Sequence, residues 1–578
     1  MSENLFKKEW HIPFLTKLQN ALAGFGLAEK IVFTILFAAF FVSALFLVKK
    51  TMEVFLTEIP ASGGSLTEGI VGSVGMINPL LAISDADRDL TAVIYSGLLK
   101  ATSNGALIGD LAKGWVVSED GLQYTFTLKD GVSFHDGAPV TADDILFTVQ
   151  KAQDPSLKSP KRANWEGVAA EKIGPNQIKF TLKQPYSSFL ENATLGILPK
   201  HLWKDIDSEQ FSFSQYNVAP VGSGPFAVDA VRKNSGGLPV AYELKSFKKY
   251  ALGRPRLNKL TFRFFGSEEA LLAAFNKDEI ESMSAIAPTT AEILKKRDIR
   301  VEQTPLPRIF ALFFNQNQAP IFANLEVRKA LALTVDRSKI VDEVLGGYGT
   351  EIFGPLPPGI LPEKTMPDNS TTTDTAALAE SLLNKNGWKK NSNGVFEKKS
   401  KKETLALAFT ITTSAAPELK KTAEILKADW AKIGANVTVA VFDPGELNQT
   451  IIRPRKYDAL LFGEIIGRDP DSFAFWHSSQ RNDPGLNIAL YANIKVDKLL
   501  EEARTIAVQN ERLQKYVAFN EEIKKDVPAI FLYSPDFMYV LPEKIKGFAF
   551  GRLTTPSDRF AGIHQWYTGT DKVWNIFK

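Results

Sequence analysis

The side chains best placed to do chemistry gather around Asp469-Pro470-Asp471, with Glu464 and Arg468 just before the turn and Phe473, Phe475 and Trp476 just after it. A guanidinium such as Arg468 can grip a carboxylate or phosphate in fork geometry; a salt bridge to a neighbouring Asp is the plainer use of it. Aromatic side chains wall ligand clefts and pack cores equally well. Asp469 and Asp471 make a weak hydrolase dyad, because the chain contains no G-x-S-x-G, H-E-x-x-H or phosphate-binding loop to complete one. There are no cysteines, which excludes a disulfide framework, a thiolate metal site and a Cys nucleophile. The five histidines, His11, His135, His201, His477 and His564, form no i, i+4 pair, so their spacing argues against zinc. The residues therefore offer recognition rather than catalysis, with no cofactor.

Charge and hydropathy divide the chain. Ile31–Val48 is a run of 18 residues without a charge, bounded by Lys30 and by Lys49-Lys50. About 20 apolar residues are needed to cross a bilayer. The run is longer than a signal-peptide core and no A-x-A site follows it closely. We expect an uncleaved anchor, with a cleaved signal and a buried core helix as alternatives. Residues 1–50 carry six Lys and three Glu, so the remainder holds 62 basic and 62 acidic residues. That neutral body has no basic footprint for nucleic acid and no steering field for a strongly charged ligand.

The elements that must position these side chains alternate. Tyr124–Leu128 has the period of a half-buried strand. Asp130-Gly131 and Asp136-Gly137 read as turns, and Thr141 with Asp144 as a capping box. The spacing predicts helices over Leu325–Leu345, Ala376–Asn386, Pro417–Ile433 and Lys498–Asp526. It predicts strands over Leu405–Ile411, Val437–Phe442 and Tyr457–Phe462, another ending at Phe313-Phe314-Asn315, and a hairpin turn at Asn393-Gly394. Lys364–Thr375 reads as a polar loop and Lys389–Glu403 as a solvated hairpin. About 520 residues in such alternation exceed one compact core and point to α/β lobes.

The string DGLQYTFTLKDGVSFHDGAPVTADDILFTVQ (120–150) resembles a motif of the family 5 solute-binding proteins, the extracytoplasmic peptide- and nickel-binding components of ABC transporters. Further resemblances follow in family order: IVGSVGMINPL (70–80), LAKGW (111–115), Gln184-Pro185-Tyr186, ILPKH (197–201), VGSGPF (221–226), Phe314-Asn315-Gln316, VRKAL (327–331), GYGTEIFGPLPP (347–358) and YDALLFGEIIGRDPDS (457–472). The resemblance implies an α/β, two-lobed periplasmic-binding-protein fold of the large peptide-binding type with an inserted subdomain, preceded by one N-terminal transmembrane helix. We expect a cytoplasmic segment at 1–30, the anchor at 31–48 and a linker at 49–62. Lobe one is expected at 63–105, 216–305 and 536–578, its inserted subdomain at 106–215, and lobe two at 306–535. Hinges near 303–308 and 532–537 would carry Pro305, Pro307 and Pro535.

The same resemblance implies a ligand in the interlobe cleft. Peptide binders of the family hold an extended ligand through main-chain hydrogen bonds and pair a carboxylate with its amine, shortly before a D-P-D-like turn. One alignment puts Glu464 in that role; the ungapped alignment puts Ile466 there. The expected ligand-binding set is Met76, Ile77, Asn78, Asn315, Glu464, Arg468, Asp469, Phe473 and Trp476, with Arg308 a weaker member and His135 structural. The function implied is a monomeric, single-pass membrane receptor with its body outside the cell. It would deliver a peptide or other small molecule to ABC permease subunits. A surface sensor or chaperone-like protein on the same fold, and a hydrolase, are the alternatives.

Overall fold

The computed structural model describes residues 17, 21, 23–360, 374–399, 403–506, 508–551 and 553–574; the expected loop at Lys364–Thr375 lies almost wholly outside them. Two compact units are present, one of residues 1–61 with 569–578 and one of Ser62–Thr568.

In the first unit, the uncharged run sits inside a helix spanning Leu27–Phe55. Its apolar stretch Leu27–Thr51 buries nothing. The expected linker at 49–62 is a correction: the helix runs on through Lys49 and Lys50 and passes directly into a strand, Leu56–Pro60. That strand pairs antiparallel with Thr570–Trp574, which lies in the stretch expected from sequence to close lobe one.

The body is organised by Ala529–Val540, a run buried at nearly every position except Pro535 and Asp536. Such a continuous apolar run suits a strand covered on both faces. It lies inside a twelve-stranded mixed sheet. Its first half pairs with Arg308–Phe314, its second half with Val301–Pro305. Proline removes a ladder donor, and here the prolines stand where the pairing changes: Leu306 N–H donates to the Pro535 carbonyl at 3.1 Å and the Ser534 hydroxyl to the Leu306 carbonyl at 2.6 Å. On one side the sheet continues through Ala459–Ile465, Ala408–Ser414 and Asn436–Phe442. On the other it runs through Ser282–Ser284, Ser65–Val71, Lys259–Phe265, Pro239–Ser246 and Phe226–Lys233.

The apolar interior follows this division. One core draws on residues between Leu66 and Phe262 together with Leu306 and Phe537–Trp566, including the four-stranded sheet of Ala112–Val117, Gln123–Leu128, Gln177–Thr181 and Ala169–Gly174. Two further cores lie between Ile309 and Tyr533, on opposite faces of the sheet, and a fourth sets Tyr348 among Leu271, Met283, Leu294, Met538 and Val540.

Several local readings from sequence hold: the Thr141–Asp144 capping box forms, and Gly131 and Gly137 adopt positive φ. Others need correction. Leu325–Leu345 is two helices, Leu325–Leu333 and Arg337–Leu345. The Thr334 hydroxyl closes the first on the Leu331 carbonyl (3.1 Å), and Asp336 caps the second by accepting from Lys339 N–H (2.9 Å). Lys498–Asp526 is likewise Ile494–Thr505 and Gln509–Asp526. Lys495–Glu522 and Lys515–Glu502 ion pairs, each at 2.7 Å, show that the two helices fold back antiparallel. Leu405–Ile411 divides at buried Leu407 between a hairpin sheet and the main sheet. The strand expected at Tyr457–Phe462 runs from Ala459 to Ile465.

One buried ion network ties the first core together. Arg559, wholly buried, forks onto Asp89 (2.8 and 2.6 Å), and its Nε donates to Glu68 at 3.1 Å; Tyr539 donates to the other Glu68 oxygen at 2.8 Å. Removing one partner of such a network leaves uncompensated buried charge, which costs about 3–5 kcal/mol. Arg559→Met should therefore lose about that much stability in urea denaturation followed by tryptophan fluorescence. A loss below about 1 kcal/mol, the range of an exposed pair, would contradict the assignment.

Candidate functional site

A cavity of about 1120 Å³ lies in the body between three stretches of chain: 161–194, 467–505 and 554–558. A smaller one of about 170 Å³ shares Thr194, Arg468 and Asp558 with it. The first stretch belongs to the four-stranded-sheet region, where Tyr186, Phe189 and Leu190 pack into or against the first core. The second follows the strand Ala459–Ile465 and holds the Asp469-Pro470-Asp471 turn. The third is the turn Pro556–Phe560, capped by Thr555 and Asp558 and anchored by Arg559.

Arginine–carboxylate pairs line the cavity. Arg468, its side chain 11 % exposed, donates from Nη1 to Glu191 at 2.7 Å and from Nη2 to Asp558 at 3.3 Å. Arg504 lies 3.0 Å from Asp471, and Arg512, not itself on the wall, 2.8 Å from Asp469. The Arg504 guanidinium stands over Phe473 (4.4 Å) and Tyr186 (5.0 Å). Arg512 also donates to the Ser187 hydroxyl at 2.7 Å, and Ser187 N–H to the Arg504 carbonyl at 2.8 Å. Burial raises the Glu191 and Asp471 carboxyls, against the pull of Arg468 and Arg504 respectively. Among the described residues no group of three or more His, Asp or Glu side chains is arranged to hold a metal.

Of the residues expected from sequence, Arg468, Asp469 and Phe473 line the larger cavity. Trp476 does not; it is wholly buried among Phe313, Tyr491 and Phe531, and its place is the core. Ile77 is also core, and Met76 is half-buried against the same core, with its N–H held by Asp87 at 2.9 Å. Asn78 and Asn315 are buried turn-formers: Asn78 bonds Asn217 and Leu80 N–H, and Asn315 accepts from Asn317 and Gln318 N–H. Arg308 opens its strand opposite Ile465. His135 is structural, as expected, its ring between the Gly222 N–H and the Gly224 carbonyl, with burial pulling its pKa down to about 4.

Glu464 is the surprise. It sits opposite Ile309, 4 % exposed, with neither carboxylate oxygen hydrogen-bonded, and it lines neither cavity. Ile466, its rival in the alignment, is fully buried in the same core. Sequence reasoning missed Ser187, Glu191, Arg504, Arg512 and Asp558; their partners lie up to 325 residues away, and no spacing signals them.

Two separately cored parts around a walled cavity define the architecture of a solute-binding protein. The chain belongs to the bacterial extracellular solute-binding proteins, family 5, whose family model matches residues 106–485. It is similar to the oligopeptide-binding protein AppA of Bacillus subtilis, 28 % identical over 517 residues, covering 88 % of this chain and 92 % of that one. Its fold is similar to that of the ABC transporter substrate-binding protein CtaP from Listeria monocytogenes (TM-score 0.73, 27 % identical, covering 88 % of this chain and 99 % of that one). It is also similar to NikZ from Campylobacter jejuni in complex with Ni(L-His) (TM-score 0.68, 28 % identical, 87 % and 99 % covered). The two-lobed periplasmic-binding-protein fold and the family of substrate-binding proteins, rather than enzymes, follow from these matches.

Burial alone raises the Glu464 carboxyl well above its ordinary 4.5. A folded-state pKa that is raised means the ionised form is disfavoured in the fold, so the side chain grows more costly as pH rises above about 4.5. Glu464→Met should therefore stabilise the protein by about 1–3 kcal/mol at neutral pH, the cost of an unsatisfied buried polar group. Thermal unfolding of both proteins between pH 4 and 8 should show the gain shrinking toward the acid end. A pH-independent difference, or a destabilised variant, would give Glu464 a partner instead.

Proposed function

We propose that the protein is a membrane-anchored extracytoplasmic receptor that captures a peptide or another small solute in the cleft between its lobes and passes it to an ABC permease. The observation that carries this is the cavity of about 1120 Å³ walled by three distant stretches of chain. Ligand pockets commonly run from about 300 to 1000 Å³, so this one has room for a solute larger than a single amino acid. Lobe one is taken as 63–105, 216–305 and the residues from 536, with 106–215 inserted, and lobe two as 306–535; the three larger cores support this division, which only Leu306 and, in the fourth core, Tyr348 cross. Peptide as the ligand class draws support from the oligopeptide-binding relative.

Anchoring draws support from two features. The apolar stretch Leu27–Thr51 has 25 residues, about 37 Å of helix at 1.5 Å each, and a hydrocarbon core is about 30 Å thick. The strand Leu56–Pro60 that follows is paired along its whole length with Thr570–Trp574. A leader removed near Ala61 would take that strand away and leave Thr570–Trp574 as a bare edge, which folded proteins avoid.

Two measurements test the reading. Intact-mass analysis of the protein extracted from its own membranes should return the full chain; a mature form starting near Ala61 or Ser65 would rule out the anchor. Native mass spectrometry of the same preparation should show a retained solute, and small-angle scattering a smaller radius of gyration with that solute than after its removal. An unchanged radius at saturation would argue against lobe closure.

A further inference from the structure

We propose that Arg468 is a positioning residue, the latch that holds the cleft closed, and not a group that binds the solute. This rests on the two-lobe reading above. Arg468 follows the strand Ala459–Ile465, whose neighbours Phe473 and Trp476 pack with the second set of cores. Its two terminal nitrogens leave that body in different directions. One reaches Glu191, beside Phe189 and Leu190 of the first core. The other reaches Asp558, one residue before the buried Arg559. A free guanidinium awaiting a ligand carboxylate would present those same two nitrogens; here both are engaged by the protein.

Its partners are built to stay in place. Asp558 accepts from Thr554 N–H at 2.7 Å and Thr555 N–H at 3.1 Å, so its carboxylate is aimed before Arg468 arrives. Glu191 sits on the turn of helix Phe189–Asn192. Four residues before it, Ser187 takes up two further contacts from the 467–512 side, from Arg512 and to the Arg504 carbonyl. Arg504 and Arg512 also hold Asp471 and Asp469, which flank Pro470 in the turn just after Arg468. Ion pairs, hydrogen bonds and the Arg504 guanidinium over the Tyr186 ring thus join two apolar cores across the cavity. Polar interfaces of this kind let domains separate.

The chain has no cysteine, so two introduced ones can carry spin labels without background. Exposed Glu119, at a turn of the four-stranded sheet, and exposed Asn510, on the helix Gln509–Asp526, report on the two sides. In the full-length protein in detergent carrying E119C and N510C, the wild-type distance distribution should be dominated by the short, closed separation. Arg468→Ala should raise the long-distance population about tenfold, the effect of roughly 1.4 kcal/mol on a two-state equilibrium. Glu191→Ala should raise it less, and the double variant no further than R468A, because the two side chains act through one contact. An unchanged melting temperature of the protein keeps this separate from misfolding. Superimposable distributions for wild type and R468A would overturn the latch. A wild type that never changes separation when its solute is removed, while R468A widens, would instead remove solute-driven closure and leave the latch standing.

Discussion

The guanidinium of Arg559 is the constraint on which the body depends. A charge with no exposure to water survives only when it is paired and hydrogen-bonded. Arg559 meets that demand with Glu68 from the strand Ser65–Val71 and Asp89 from the helix Asp85–Ile94. Tyr539, from the strand Ala529–Val540, holds the far oxygen of Glu68. Those groups come from the beginning and the end of the body, up to 491 residues apart. Burial raises the Asp89 carboxyl to about 6 even with Arg559 beside it, so the network is demanding as well as cohesive. It determines where the turn Pro556–Phe560 sits, and hence where Asp558 points.

From that fixed turn the rest of the site follows. Asp558 offers one carboxylate to a loop that belongs to the other cores, and Glu191 offers a second from the helix Phe189–Asn192. The strand Ala529–Val540 crosses between the two sides and changes partners at Pro535, opposite Pro305-Leu306-Pro307. Joined by a few strands, by an apolar cluster that sets Tyr348 among Leu271, Met283 and Met538, and by polar contacts across a cavity, the two sides form a structure in which apolar burial stabilises each lobe and polar pairing spans the cavity between them.

Much of the fold was legible because local chemistry and family order agree. The capping box at Thr141 and Asp144, the turn glycines and the alternation of Tyr124–Leu128 each state their own conformation. The misjudged helices show the limit: Asp336 reads as one more polar face residue in an otherwise periodic run, yet it is a cap. The site was less legible. Arg468, Asp469 and Phe473 could be singled out by their turn and found on the cavity wall. Their partners could not, since Glu191 and Asp558 become neighbours of Arg468 only through the fold. Glu464 and Trp476 drew notice by residue type, whereas the structure buries both away from the cavity wall, and burial depth is not written in the residue type.

A crystal structure of the protein isolated from its own cells, with its solute retained, is the most direct test. Density for the solute is expected inside the cavity bounded by Tyr186, Phe473 and Arg504, with Arg468 still on Glu191 and Asp558. Solvent alone in that cavity, with the solute bound elsewhere on the molecule, would contradict it.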